Sequence, residues 1–243
     1  MASSSISSPD ICKPKYDVFL SFRGEDTRDN FTSHLYAALC QKQIQTFIDD
    51  GLQRGEGISP ALITAIEESR ISVIIFSKDY ASSRWCLNEL VKILECKQMK
   101  GQTVIPIFYQ VDPSDVRKQS GNFRDAFVKR DPSDVLKWKT ALTEAANLSG
   151  WNSMTIRPES KLIDGIVKDI LKKLDDMSSS SISEGLVGMD SHIKQIKSLL
   201  SECQIVGIWG MGGIGKTTIA EASYNQISRQ FEGHCFIANV VKN

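Results

Sequence analysis

Residues 71–94, ISVIIFSKDYASSRWCLNELVKIL, place two kinds of hydrophobic pattern back to back. Ile71 to Phe76 is an unbroken apolar run, the mark of a strand covered on both faces. A polar turn follows. From Arg84 to Met99, apolar residues at Leu87, Leu90, Val91 and Leu94 then repeat with helical spacing. A buried strand leading into an amphipathic helix predicts a βα unit.

The same alternation extends outward in both directions. Upstream, Tyr16–Phe22 (YDVFLSF) predicts a strand, and Thr27–Gln43 a helix, with Phe31, Leu35, Ala38 and Leu39 on one stripe. Gln45–Ile48 predicts a short strand and Ile58–Arg70 a helix, with Pro60 in its first turn. Downstream come a strand at Thr103–Tyr109 and helices at Asp115–Lys129, Val135–Asn147 and Asp164–Leu174. Strands alternating with helices at short spacing predict a doubly wound, flavodoxin-like parallel α/β sheet of four or five strands.

Composition sets limits. The 243 residues leave room for one domain and part of another. Charged residues make up 24%, and 29 basic side chains balance 29 acidic ones, which gives no electrostatic footprint for nucleic acid. The apolar runs fall far short of the roughly 20 residues needed to span a bilayer, so no membrane association is expected. Six scattered cysteines without a C-x-x-C pair suit a reduced compartment. The three histidines stand apart, so no metal site is expected. The expected divisions are a tail over residues 1–14, an α/β domain over 15–176, a Ser-rich polar linker over 177–185, and a second unit from 186 to 243.

Ligands of doubly wound sheets bind beyond the carboxyl ends of the strands. The segments leaving those ends carry Arg23, Gly24, Arg54, Ser83 and Trp85, and Glu89 lies one helical turn past Trp85. The helical wheel sets Trp85 and Glu89 opposite the Leu87/Leu90/Leu94 stripe. That placement suits a cleft and suits solvent equally, and an acid early in a helix also serves the helix dipole. Arg23 and Arg54 are suited to bidentate phosphate contacts or to surface ion pairs.

In the second unit, Gly210, Gly215, Lys216 and Thr217, followed by Thr218, satisfy G-x-x-x-x-G-K-[ST] between an expected strand at Ile205–Trp209 and an expected helix. That is a phosphate-binding loop, with backbone N–H groups as the cradle. One further strand is expected at Phe236–Val240. The unit reads as a truncated P-loop α/β fragment, for which ADP or ATP binding is doubtful and hydrolysis is not expected.

Taken together, YDVFLSFRGEDTR, FIDDGLQRGEGI, SRWCLNEL, PIFYQVDPSDVRKQSG and WKTALTEAANLSGW resemble the Toll/interleukin-1 receptor (TIR) domain of plant intracellular immune receptors. LVGMDSHI with the P-loop resembles the entry to their NB-ARC domain. The resemblance implies an NAD nucleosidase, with NAD as substrate, Glu89 as the catalytic glutamate, and Arg23, Gly24, Arg54, Ser83 and Trp85 at the NAD site. It also implies defence signalling from the cytoplasm, with the nucleus as a second setting, self-association through Ser33 and His34, and other TIR-containing receptors as partners. The alternative is a catalytically silent adaptor, decoy or inhibitor that joins the assemblies of longer receptors.

Overall fold

The computed structural model describes residues 14–49, 60–128, 130–183, 189–228, 231 and 235–237. Five parallel strands form one sheet in the order β2-β1-β3-β4-β5: β1 Tyr16–Phe22, β2 Thr46–Phe47, β3 Ser69–Phe76, β4 Thr103–Phe108 and β5 Trp151–Asn152. The helices are α1 Gly24–Thr27, α2 Ser33–Gln41, α3 Pro60–Glu67, α4 Arg84–Lys100, α5 Pro113–Lys118, α6 Asn122–Asp125, α7 Pro132–Ala146, α8 Glu159–Ser183, α9 Met189–Glu202 and α10 Lys216–Ile227.

The strand alternation sorts the core into two layers. Val18, Leu20 and Phe22 of β1 join Ile71, Val73 and Ile75 of β3 against α2 and α8. Phe19, Ile74 and Phe76 face the other way, against α3, α4 and α7. Ser21 shares the Phe19 side, so its hydroxyl enters the layer that holds α4. The strand order reverses between β1 and β3, and there a crevice opens at the carboxyl ends of the strands.

The expected helices hold with local corrections. The helix expected at Thr27–Gln43 is broken at Asn30, whose φ of −133° and ψ of −106° are not helical. Its side-chain oxygen accepts from the Phe31 N–H, a local bond that competes with helix geometry. The helix expected at Asp115–Lys129 splits into α5 and α6 because Gln119 (φ 48°) and Gly121 (φ 55°) are left-handed. Gln119 is held there by its amide, which donates to the Val116 and Arg117 carbonyls and to Thr143 Oγ1. The helix expected to run to Arg70 ends at Glu67, and Ser69 and Arg70 open β3. Trp151–Asn152, assigned to no strand from sequence, pairs with Ile107 and Phe108 of β4 as the edge.

Beyond Leu174 the departures are larger. The polar stretch expected as a linker is helical through Ser183, continuing α8. Ile205–Trp209, expected as a strand, has no regular structure, and Ile205 and Trp209 are 88% and 92% exposed. A strand exists only by pairing, and among the described residues no partner runs beside it. The tail to residue 13, the loop 50–57 with Arg54, and most of the Phe236–Val240 segment lie outside the described residues. Among the described residues no helix is long and apolar enough to cross a membrane.

Candidate functional site

Ser83 begins the site by starting α4. Its backbone is extended and its Oγ accepts from the Cys86 N–H at 3.2 Å, satisfying one of the orphan donors of the first turn. That use leaves the Ser83 O–H free to donate. The helix then runs 17 residues to a left-handed Gly101, and its first two turns lie against the carboxyl end of β1, where Cys86 and Glu89 meet Phe22 and Ser21.

At that contact Glu89 is only 5% exposed. It therefore lies in the cleft, and the solvent-facing option is excluded. The core stripe shifts accordingly: Cys86, Leu87, Leu90, Ile93 and Leu94 are buried, while Val91 is half-buried. Ser21 Oγ donates to Glu89 Oε2 at 2.7 Å, and among the described residues Oε1 has no hydrogen bond. Burial raises the Glu89 carboxyl to about 8, helped by the negative charge of Asp49 and opposed by the Ser21 hydrogen bond. Burial thus favours the protonated carboxyl of Glu89 near neutral pH.

The cavity beside it measures about 510 Å³ and is lined by Leu20, Phe22, Arg23, Gly24, Glu25, Arg28, Asp49, Ser83, Trp85, Cys86 and Glu89. Five expected residues, Arg23, Gly24, Ser83, Trp85 and Glu89, meet there. The Trp85 indole Nε1 is buried with no hydrogen-bond partner among the described residues. A ligand acceptor beside the ring would satisfy it.

Arg23 is more committed than its expected role requires. Its guanidinium binds Glu25, donates from Nε to Asp26 Oδ1 at 3.1 Å and reaches the Asp79 carbonyl at 3.3 Å. Asp26 is itself anchored by Ser77 Oγ at 2.5 Å and the Asp79 N–H at 3.0 Å. Arg23 is therefore a rigid wall with its charge largely neutralised. Arg28, not singled out from sequence, also lines the cleft, with its guanidinium 5.0 Å from the centre of the Phe22 ring. A Cβ on Gly24 would come within 3.1 Å of Arg28 Nε, so the glycine lets that side chain lie against the backbone.

Sequence reading also missed Ser21, Asp49 and Cys86. Ser21 carried a signal, as the one serine in the apolar run YDVFLSF, placed at the end where ligands bind. Cys86 is buried, its thiol pushed up to about 12 chiefly by desolvation, and is inert as a nucleophile. Ser33 and His34 sit away from the cleft on α2. Ser33 Oγ donates to the Asn30 carbonyl, and His34, 65% exposed, has Nδ1 at 3.5 Å from Glu159 Oε1 on α8.

The glycine-rich loop before α10 has the left-handed glycines its pattern requires, Gly213 at φ 79° and Gly215 at φ 89°. Lys216 Nζ donates to its own loop, to the carbonyls of Gly210 at 2.9 Å and Met211 at 2.7 Å. Thr217 and Thr218 are exposed. Lys216→Ala is expected to change the melting temperature by no more than about 1 °C, because this half-buried lysine bonds only to its own exposed loop and its removal uncovers little. A thermal melt of the full chain checks it, and a larger drop would mean that the loop is structurally coupled to the first domain.

Comparison with known proteins agrees with the fold. The TIR-domain family model matches residues 15–189 and the NB-ARC model residues 189–242. The chain is 53% identical over 247 residues to disease resistance protein RPV1 of Vitis rotundifolia, covering 98% of the chain and 18% of that protein. It is 49% identical over 260 residues to TMV resistance protein N of Nicotiana glutinosa, covering 100% of the chain and 22% of that protein. The chain thus spans only a small part of the length of these relatives. Among solved structures, the TIR domains of the activated Roq1 resistosome, which directly recognises the pathogen effector XopQ, match at 53% identity and a TM-score of 0.59. That match covers 64% of this chain and 99% of the Roq1 chain.

Proposed function

Since the chain belongs to the TIR-domain family, we propose that its cleft is an NAD nucleosidase site acting in plant immune signalling, with Glu89 as the catalytic carboxylate. The observation that carries this is a buried glutamate with one oxygen fixed by Ser21, set in a cavity at the strand-order switch of a doubly wound sheet.

The chemistry asks little of the protein. NAD⁺ and water give nicotinamide, ADP-ribose and a proton. The C1′–N bond breaks with its electron pair going to the nicotinamide nitrogen, which leaves neutral and needs no general acid. Positive charge grows on the ribose, and the Glu89 carboxylate stabilises it from a desolvated position. Water adds at C1′ and its proton leaves to solvent. Trp85 offers an apolar wall, the Ser83 O–H a donor for a sugar oxygen, and Arg28 a positive charge for the diphosphate. Arg54, outside the described residues, belongs to the proposed NAD contacts as well.

Glu89 must ionise to do this, and the cationic nicotinamide ring favours that form. The expected pH dependence follows. As kcat/KM reports the free protein, it rises by about tenfold per unit below the Glu89 midpoint and levels off near pH 8. A profile that falls between pH 6 and 8 would remove Glu89 ionisation from the mechanism.

The protonated form that burial favours in Glu89 also supports a second function of different class, a silent TIR adaptor, decoy or inhibitor in the assemblies of longer receptors. In either case self-association through the Ser33/His34 face of α2, pairing with other TIR receptors, and a cytoplasmic or nuclear setting belong to the proposal. ADP or ATP at the P-loop does not, because Lys216 is engaged by its own loop.

The deciding experiment is NAD consumption and nicotinamide release by the full chain, clustered on a support and assayed at pH 8. Turnover supports the enzyme. No turnover in a sample shown to self-associate leaves the adaptor.

A further inference from the structure

Glu89 is one end of a line of oxygens that runs into the protein. Ser21 Oγ lies 2.7 Å from Glu89 Oε2 and 3.1 Å from the Tyr80 hydroxyl, which lies 3.0 Å from the carbonyl oxygen of Cys86. Ser21 and Tyr80 are both 0% exposed, so solvent water is not at hand to supply a missing hydrogen. Three oxygen–oxygen contacts need three hydrogens.

The count depends on Glu89. When it is ionised, Ser21 and Tyr80 contribute one hydrogen each. Ser21 donates to Glu89, Tyr80 donates to the Cys86 carbonyl, and the two hydroxyl oxygens are left facing each other at 3.1 Å with lone pairs only. When Glu89 is protonated its own hydrogen completes the line. Glu89 donates to Ser21, Ser21 to Tyr80, and Tyr80 to the carbonyl, with no contact unfilled. Losing the proton from Glu89 therefore either loosens the Ser21–Tyr80 contact or pulls the Tyr80 hydroxyl away from Cys86. The Cys86 carbonyl belongs to the first turn of α4, the turn that also carries Ser83 and Trp85.

We propose that Ser21 and Tyr80 are positioning residues of opposite sign for Glu89. Ser21 supports its carboxylate, Tyr80 holds it protonated, and together they transmit its charge to the α4 turn that walls the cleft. The consequence for turnover rests on the NAD reading, but the titration of Glu89 does not. The other groups facing Glu89 stay constant in the test: Asp49 after β2, the neutral Cys86 thiol on α4, and Arg23, Glu25 and Arg28 from the exit of β1. α3, which packs on α4, brings the apolar Leu62 and Ile66 into the same core layer.

The test is a carboxyl-carbon NMR titration of the full chain carrying ¹³C-labelled glutamate, with the Glu89 signal assigned by its loss in Glu89→Gln. Ser21→Ala removes the donor to the carboxylate and is expected to raise the Glu89 midpoint by about one unit. Tyr80→Phe keeps the ring packed on Phe76 and is expected to lower it by about one unit, because a single hydrogen now fills the single remaining contact. Removing a buried hydroxyl ordinarily makes the surroundings more apolar and raises a carboxyl midpoint, so a merely structural role predicts a rise in both variants. Shifts in the same direction, or no shift, overturn the proposal. If Ser21→Ala does not fold, Tyr80→Phe decides alone, since only the hydrogen count predicts its fall. Opposite shifts without NAD cleavage in any variant would keep the oxygen line and remove the NAD reading. With cleavage, the acid limb of kcat/KM moves with each midpoint.

Discussion

Glu89→Gln is expected to lose about 10²- to 10³-fold in NAD cleavage and, in the same protein, to gain stability at alkaline pH. The amide has the volume of the carboxyl and can still accept the Ser21 hydrogen, so the fold has no reason to change. What is lost is the negative charge that meets the developing cation. The stability effect has a definite sign. The Glu89 carboxyl sits at about 8 in the folded chain, above its ordinary value of 4.5, because burial disfavours the charge. Its contribution to folding is fully present below pH 4.5, declines as pH rises, and is lost through about pH 8. The glutamine variant has no such titration. Its advantage over the wild type should therefore grow between pH 5 and 9, by an amount on the order of 2–4 kcal/mol. Thermal melts at pH 5, 7 and 9 measure it, beside nicotinamide release at pH 8. Equal differences at all three pH values would mean that Glu89 is already ionised in the free protein. Full activity in Glu89→Gln would remove the carboxylate from the chemistry.

A second large effect is expected far from the cleft. Gly150 leads into β5, and a Cβ there would collide with the Pro106 carbonyl oxygen of β4 and lie 2.7 Å from Pro106 Cγ. Backbone cannot step aside as a side chain can. Gly150→Ala should push the edge strand off β4 and break the pairing of Trp151 with Ile107 and of Asn152 with Phe108. The expected cost is about 2–3 kcal/mol, and so about 4–12 °C in melting temperature. Gly101→Ala is the comparison. It has φ 68° but nothing within 4 Å of an added Cβ, so only the left-handed backbone penalty of about 1 kcal/mol applies. If both variants melted alike, the approach of Gly150 to β4 would not be rigid.

The two effects mark different limits of sequence reading. Glu89 could be singled out because SRWCLNEL sets it one turn from Trp85 on a helix that follows a buried strand, yet periodicity set it opposite the core. It is buried all the same, because the first turns of α4 lie against the end of β1 and are covered there by Ser21 and Tyr80, residues 68 and 9 positions away in the chain. Gly150 carried no signal at all. Its meaning lies in Pro106, and β5 is too short, at two residues, for alternation to reveal it.

The second unit shows the converse. Its glycines, Lys216 and the helix after them were legible because a P-loop is a local object, made by backbone turns and one helix start. The strand expected before it was not formed, since a run such as Ile205–Trp209 becomes a strand only when another pairs with it.

By itself the sequence determined the order and kind of the main elements, the parallel doubly wound sheet and the segments that gather at its carboxyl edge. Those follow from periodicity and short connections, which act along the chain. The tertiary structure alone decided that Glu89 is desolvated, that Ser21 and Tyr80 share its proton count, that Arg23 is held by Glu25, Asp26 and the Asp79 carbonyl, and that Arg28 and Asp49 enter the cleft. Desolvation and hydrogen-bond satisfaction depend on which atoms surround a group, and those atoms are brought together only by the packing of distant segments.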